Sequence, residues 1–473
     1  MQFVMGRSSK LGINIALFAI GNFGSKILVF FLVPLYTAYL TTSEFGIAEI
    51  IAATISLLAP ILTLSITQAM MRFCLDPGAN HKGIFTTCIC VQGIGFLLLL
   101  LFSPAILFFD VIRPYYGLFI LYYFSFVTYQ CFMDYARGVN KVVLYTISGI
   151  CQTLVLVVSN VVTLCFLKTG IEGYLSSFCI SYLAAATLLF VAGRYYQNFK
   201  GEEKLFDKDL CKELLSYSVP MIPNTVSWWV SNSSSKYILA VFCTTSTLGL
   251  FSVAYKIPTI LSLCNSIFMS AWVLAAVDDF GSDGSKKFYA LTFKRISSLL
   301  FVIAGFLITF NDTLAMIMYS KDFYAARIYV PILTLAVMVH AFGEFYGSIY
   351  TSSKKTKMLF YSSFWGAVIN VVANFLLIPV LDAIGSAIAA FLSYSVILFI
   401  RGIHTRKIMR FNIEYRHILL SMGVLVFMCL LQGFMFDYGQ YVSILLLLFL
   451  LVINHGAFKD AYMLIKNRIH VHR

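Results

Sequence analysis

Long apolar stretches fill this chain almost from end to end, with short loops between them. A helix needs about 20 mainly apolar residues to cross a bilayer, and about 14 stretches here are long enough. The sequence is 60% hydrophobic and 12% charged, whereas an average soluble chain has roughly 25% charged residues. Runs such as Ile94–Leu101 and Ile444–Val452 are apolar at every position, unlike the alternating strands of a membrane β-barrel. We therefore predict an all-α, polytopic integral membrane protein.

The predicted spans follow one another closely in sequence. In chain order they are Leu11–Tyr36, Phe45–Met71, Gly83–Phe109, Pro114–Tyr135, Val142–Leu167, Ile171–Tyr195, Leu214–Phe242, Leu248–Ala275, Ile296–Tyr319, Ile328–Tyr350, Met358–Val380, Ile384–Ile403, Ile418–Phe436 and Tyr441–Phe458.

The positive charges alternate with these spans. If the amino terminus is cytoplasmic, most of the 34 Lys and Arg residues fall in cytoplasmic loops and tails, as the positive-inside rule requires. The opposite side keeps only Arg113, Lys168, Lys321 and Arg327. This pattern predicts an even number of spans with both termini in the cytoplasm. It also explains most of the net charge of +13, so we expect no nucleic-acid partner.

The longest interior polar segment, Gln197–Glu213, separates six spans from eight. We predict an amino-terminal lobe at residues 1–196, a cytoplasmic linker at 197–213, a second lobe at 214–404, and two further spans with a tail at 405–473. The second half faintly repeats the first, because Asn22 precedes Phe45-Gly46 by about the same distance as Asn224 precedes Leu248-Gly249. Such internal similarity is typical of duplicated transporters.

Three lysines fall inside predicted spans: Lys26, Lys236 and Lys256. A lysine at the bilayer centre costs about 2.5–3.5 kcal/mol on insertion scales, so it usually faces protein or a water-filled cavity. Other polar residues lie near these lysines at helical spacing, so that each forms part of a polar stripe along its helix. These polar residues include Asn22, Asn224 and Asn232. One interpretation is a central cationic cavity for an anionic substrate, since lysine is a good point-charge partner for phosphate. The other is that the lysines snorkel to the interface.

Acidic residues within spans are fewer. Glu49 shares a face of the second span with Ser56 and Pro60, and Glu344 lies one turn beyond His340 in the tenth. A buried carboxylate and a neighbouring imidazole are able to exchange a proton coupled to transport. A static hydrogen-bonded pair is the alternative.

The sequence shows no motif for catalysis, a cofactor or a metal ion. A phosphate-binding glycine loop followed by Lys-Ser/Thr is absent, so we expect no ATP bound to this chain. The 11 cysteines lack the spacing of a zinc site, and we expect them to be small core residues.

Five short segments resemble a known family. They are Pro34–Thr37 (PLYT), Glu44–Ile47 (EFGI), Tyr217–Asn224 (YSVPMIPN), Ser235–Leu239 (SKYIL) and Leu248–Ile257 (LGLFSVAYKI). The first two resemble the junction of the first and second helices, and the other three resemble the seventh and eighth helices, of the polysaccharide-biosynthesis flippases of the multidrug and oligosaccharide exporter superfamily. One position departs from the pattern: many relatives carry an aspartate where this chain has Ser235, so a coupling role of that acid cannot be transferred.

The resemblance implies two six-helix lobes related by a pseudo-two-fold axis, with two helices appended. It implies a flippase of the bacterial inner membrane that moves undecaprenyl-diphosphate-linked repeat units for O-antigen, capsule or exopolysaccharide by alternating access. Expected partners are the lipid-linked oligosaccharide, the bilayer, and the polymerase and chain-length proteins of the same pathway. Two alternatives stay open: a cation-coupled multidrug exporter of the same superfamily, and a membrane-embedded polymerase or acyltransferase that uses His340.

Overall fold

The computed structural model describes residues 28–471 apart from 77, 200–205, 283, 354 and 434–438. Helices account for most of these residues, and no strand occurs among them. The predicted all-α fold is confirmed.

The described chain forms two compact units that divide between Trp229 and Val230. The helices of the first unit are α1 (Val33–Tyr39), α2 (Thr42–Leu62), α3 (Ile66–Phe73), α4 (His81–Phe102), α5 (Tyr116–Gly138), α6 (Val142–Asn160), α7 (Gly170–Ala192), α8 (Lys208–Ser218) and the first part of α9 (Ile222–Phe242).

The second unit continues from the rest of α9. Its further helices are α10 (Thr245–Ala254), α11 (Thr259–Asp279), α12 (Ser285–Thr309), α13 (Asn311–Met318), α14 (Val330–Ser352), α15 (Thr356–Thr405), α16 (Tyr415–Gly433) and α17 (Gly439–Val471). The division lies inside α9, and the lobe boundaries expected around the 197–213 linker stay a prediction.

Nine helices in the described part of the chain are long and apolar enough to cross a membrane, or ten if α10 and α11 form one bent span. One of them, Lys357–Thr405, is 49 residues long and contains the predicted eleventh and twelfth spans. The shorter helix Leu28–Tyr39 covers the end of the first predicted span. The chain is therefore a multi-pass membrane protein.

The core of the first unit lies where α3, α4, α5, α7 and α8 meet. Phe85 of α4 is fully buried there, with its ring centroid 4.5 Å from that of Tyr135 and 5.6 Å from that of Tyr195. Cys88 and Cys131 are buried beside these rings. These two cysteines fill space in the core, as the sequence predicted.

The second half of the predicted linker is helical. Asp207 caps the amino terminus of α8 by accepting hydrogen bonds from the backbone amides of Asp209 and Leu210, at 2.9 and 3.2 Å. Such caps typically contribute about 1 kcal/mol. Cys211 and Leu214 of α8 are buried in the core of the first unit. This part of the linker is thus an amphipathic helix attached to the first unit.

Trp272 of α11 anchors the core of the second unit. Its ring stacks on that of Phe345, with centroids 4.8 Å apart, and its indole N–H donates to the hydroxyl of Ser348 at 2.8 Å. Both partners belong to α14, which is almost wholly buried. Helix α14 is therefore the central element against which α11 packs.

Helix α15 is a tight hairpin. Its backbone leaves helical geometry at Asp382, where φ is 55° and ψ is −141°. Across the hairpin, Ser393 donates to the carbonyl of Gly366 at 2.8 Å, and Arg401 donates to the hydroxyl of Ser362 at 3.0 Å. These contacts show that the two arms run antiparallel from a turn at Asp382.

Candidate functional site

The second predicted span is broken in the structure. Helix α2 ends at Leu62, α3 begins at Ile66, and both Leu64 and Ser65 have φ of 50°. Pro60 precedes the break, and its carbonyl accepts from the backbone amide of Ser65 at 2.9 Å. A discontinuous membrane helix exposes backbone polar groups and is typical of binding sites in duplicated transporters.

A cavity of about 470 Å³ lies at this break, within the first unit. Residues from α2, α3, α4, α5, α8 and α9 contribute to its walls. The polar lining side chains are Ser56, Thr63, Ser65, Thr67, Gln68, Arg72, Gln92, Gln130, Asp134, Arg137, Tyr217 and Thr225. Its volume is within the roughly 300–1,000 Å³ of small-molecule sites.

Asp134 of α5 is the centre of the polar contacts in this cavity. Its side chain is largely buried, and its carboxylate accepts from Nε2 of Gln130 at 3.3 Å and from the hydroxyl of Thr67. A guanidinium nitrogen of Arg137 lies 3.9 Å from the same carboxylate. The acid is thus held by three partners, as a buried charge requires.

Gln92 of α4 adds a buried amide donor with only a weak partner. The residue is 7% exposed and lines the cavity, and its Nε2 has the thiol of Cys131 beside it but no oxygen acceptor. A thiol sulfur is a weak acceptor, so the donor is poorly satisfied. Such a group in a cavity wall indicates a site for a polar ligand.

The first part of α9 is attached to the same unit. The indole N–H of Trp229 donates to the carbonyl of Ala53 in α2 at 2.9 Å, and Gln68 donates to the hydroxyl of Thr225 at 3.5 Å. Asn224, predicted as a substrate-binding residue, is exposed one position before Thr225. Asn224 is absent from the cavity lining.

Glu49, predicted as an ion-coupling residue, is half-buried on α2. It interacts electrostatically with the hydroxyls of Tyr122 and Tyr174. Ser56 and Pro60, which share its face, line the cavity, whereas Glu49 does not. The helix face shared by Glu49, Ser56 and Pro60 therefore lines the cavity at Ser56 and Pro60 but not at Glu49.

The eighth predicted span is also broken. Helices α10 and α11 meet at a bend of 46°, and the connection contains Lys256 and Pro258. Lys256 is half-buried, and its backbone amide donates to the carbonyl of Val253 at 2.8 Å. The predicted eighth span, Leu248–Ala275, is therefore bent beside Lys256. Pro258 contributes to the bend because it has no N–H with which to continue the helix.

Lys236 and Asn232 belong to the part of α9 in the second unit. Lys236 is half-buried and Asn232 is exposed. Their neighbour Ser235 donates to Oδ1 of Asn370 at 3.4 Å and accepts from Nδ2 of Asn374 at 3.1 Å. These bonds connect α9 with α15, so Ser235 forms a neutral polar contact between two helices.

His340 and Glu344 lie one turn apart on α14 and have different partners. Glu344 accepts a hydrogen bond from Nδ2 of Asn265 in α11. The ring of His340 packs against Tyr394, with centroids 4.6 Å apart. Arg401, 5% exposed, interacts electrostatically with both and donates to the carbonyl of Gly343 at 2.8 Å. The structure therefore adds Asn265 and Arg401 to this pair.

Two predicted substrate-binding residues, Asn22 and Lys26, lie outside the described residues. The structure also reveals residues that the sequence analysis missed, namely Gln92, Gln130 and Asp134. Gln130, Asp134 and Arg137 recur at helical spacing near the end of the fourth predicted span. This stripe was detectable in the sequence.

Comparisons with solved structures show which proteins share the fold. The lipid II flippase MurJ in an inward closed conformation matches with a TM-score of 0.71 and 13% identity, over 95% of this chain and 100% of that chain. An inward-facing multidrug resistance MATE family transporter of the MOP superfamily matches with a TM-score of 0.62 and 12% identity, over 85% and 95%. A MOP superfamily transporter from Pyrococcus furiosus matches with a TM-score of 0.58 and 12% identity, over 87% and 96%.

Sequence comparison identifies the family. The chain matches none of the curated proteins. Residues 11–273, more than half of the chain, match the family model described as polysaccharide biosynthesis protein. The chain belongs to the polysaccharide biosynthesis protein family, and it has the fold of the MOP superfamily transporters.

Proposed function

We propose that the chain is a flippase that moves undecaprenyl-diphosphate-linked oligosaccharides across the bacterial inner membrane. The observation that carries the proposal is the match of nearly the whole chain to the fold of a lipid II flippase, in a member of a polysaccharide biosynthesis family. Both termini are cytoplasmic in this proposal, and the activity is transport without a catalytic step. The product would supply the polymerase and chain-length proteins of O-antigen, capsule or exopolysaccharide synthesis.

Cationic side chains would hold the diphosphate during alternating access. The proposed binding residues are Asn22, Lys26, Asn224, Asn232, Lys236 and Lys256. Lys256 is favoured by its position in a helix break, where backbone polar groups are also exposed. A membrane potential that is negative inside assists outward movement of an anionic headgroup, by about 2.3 kcal/mol per charge per 100 mV.

Ion coupling is the second part of the proposal. Glu49, His340 and Glu344 are its proposed residues. Glu344 is supported by its half-buried position, its hydrogen bond from Asn265 and the positive charge of Arg401. A carboxylate in such surroundings is able to respond to a proton or a cation.

The test is reconstitution of the purified protein in vesicles with a fluorescent undecaprenyl-diphosphate-linked oligosaccharide. Transfer between leaflets would be compared for wild type and for Lys26→Ala, Lys236→Ala and Lys256→Ala, with exposed Lys287→Ala as the matched control. We expect transfer by wild type and the control, and a loss in the three variants. No transfer by wild type, with or without an imposed proton or sodium gradient, would contradict the proposal.

A cation-coupled multidrug exporter is the second candidate, because the fold also matches a MATE transporter over 85% of the chain. That function predicts export of a cationic dye such as ethidium by vesicles that fail to move the lipid. A polymerase or acyltransferase that uses His340 is the third candidate. It predicts loss of an enzymatic product in His340→Ala while transport stays undetectable.

A further inference from the structure

The cavity of the first unit is close to neutral although two arginines line it. Arg137 lies 3.9 Å from the carboxylate of Asp134, and Arg72 forms an ion pair with Asp76 one turn away. Each cation thus has a carboxylate beside it. A diphosphate would need uncompensated cations, so this cavity suits an uncharged ligand better than an anionic one.

The polar groups of the wall suit a ligand with many hydroxyl groups. Gln68, Gln92 and Gln130 contribute amides, each able to donate and to accept. The Nε2 of Gln92 is buried with only the weak thiol acceptor of Cys131 beside it, so an oxygen acceptor of a ligand would satisfy it better. Asp134 and Arg137 are planar groups that can bind two neighbouring hydroxyls at once.

The rest of the wall is apolar, and two aromatic residues belong to it. Phe126 and Tyr217 line the cavity, together with Met71 and Met221. The ring of Tyr217 is itself fixed by an edge contact with Phe73, at a centroid distance of 5.8 Å. A sugar ring has hydroxyls around its edge and C–H groups on its faces. A wall that combines amides with fixed aromatic surface is complementary to that pattern.

We propose that this cavity binds uncharged sugar residues of the lipid-linked headgroup, on the side from which the substrate is collected. The inference rests on the proposed function and assigns the sugars to a site separate from the lysines that hold the diphosphate. Arg72 and Arg137, at the ends of α3 and α5, precede loops that the charge distribution places in the cytoplasm. The cavity recognises the glycan before translocation.

Direct binding tests the proposal independently of transport. The probe is the oligosaccharide released by mild acid from the lipid-linked pool of producing cells in which this gene is deleted. Saturation-transfer NMR would record its contact with the protein in nanodiscs. We expect transfer to the sugar protons for wild type and about tenfold weaker affinity for Gln92→Leu and Gln130→Leu. Gln440→Leu, an exposed position in the second unit, is the matched control.

Gln92→Leu is suited to this test because it removes a donor whose acceptor in the fold is a thiol, which accepts weakly. Its melting temperature should be close to that of wild type. Gln130→Leu changes an exposed side chain but removes one partner of Asp134, so its melting temperature is measured beside that of wild type.

The outcomes separate the two proposals. The sugar site is overturned if saturation transfer is equal in wild type and in both variants. It is also overturned if a protein that moves the lipid in vesicles gives no saturation transfer to the sugar. Saturation transfer that depends on Gln92 and Gln130 in a protein that moves no lipid retains the sugar site and overturns the flippase.

Discussion

The second membrane helix of each unit is broken, but different residues break it. In the first unit the break follows Pro60 and contains two residues, Leu64 and Ser65, in left-handed conformation. In the second unit the break contains Pro258 and Lys256, both with negative φ. The first break contains strained left-handed residues and borders a cavity. The second is bent at Pro258, which lacks a backbone N–H, and contains the cation Lys256. The two breaks thus differ in the residues that cause them and in the groups beside them.

The largest effect is expected from α4, which packs against the first break. A Cβ on Gly95 would lie 2.2 Å from the carbonyl oxygen of Leu62. Gly95→Ala should therefore force the helices apart and lower the free energy of unfolding by about 1–3 kcal/mol. Thermal unfolding in detergent measures it, with Gly93→Ala on the same helix as control, where no atom lies within 4 Å of the added carbon. Equal melting temperatures of the two variants would show that the first break is not tightly packed.

The lysine in the second break is the next test. Lys256→Ala should slow lipid transfer about tenfold, because a charge-assisted hydrogen bond contributes about 1.5–3 kcal/mol. Lys256→Arg should retain most of the activity. The vesicle assay, with Lys287→Ala beside it, gives the rates. If both alanine variants are as fast as wild type, the second break has no role in binding.

Pro258→Ala should reduce the bend between α10 and α11, because the new N–H can donate to the carbonyl of Ala254. We expect a few-fold slower transfer and stronger hydrogen-exchange protection of the peptide that spans Tyr255–Thr259. Unchanged protection would mean that the surrounding packing, and not the proline, sets the bend of 46°.

The smallest effect concerns the strained residue of the first break. Ser65→Gly relieves a left-handed residue, which costs about 1–2 kcal/mol, and loses only a long hydroxyl bond to the carbonyl of Pro60 at 3.4 Å, so stability should rise slightly. Thr63 has φ of −87°, so glycine relieves no strain there. Thr63→Gly should lower stability, because the variant loses the hydroxyl bond to the carbonyl of Ala59 and its unfolded chain has more conformational freedom. The melting temperatures of the two variants measure these changes in stability. A decrease in both would show that Ser65 is not strained.

The sequence predicted the all-α membrane fold well because the free energy of apolar side chains in lipid determines it. The hydropathy of the sequence does not show where spans break. Pro60 was read as one residue of a polar stripe, and Lys256 was placed on a continuous helix. Whether a proline bends or ends a helix depends on neighbours such as Gly95, which are distant in sequence. The cavity could not be predicted from the sequence either, because its wall combines side chains from six helices that are distant in sequence.

The hairpin at Asp382 has a consequence for how the protein enters the membrane. Asp382 is where the backbone departs from helical geometry between the two arms, and Arg401 bonds across them to Ser362. We therefore expect the two spans to enter the membrane together as a helical hairpin. A few residues inserted after Asp382 would uncouple the arms and allow one to enter without the other.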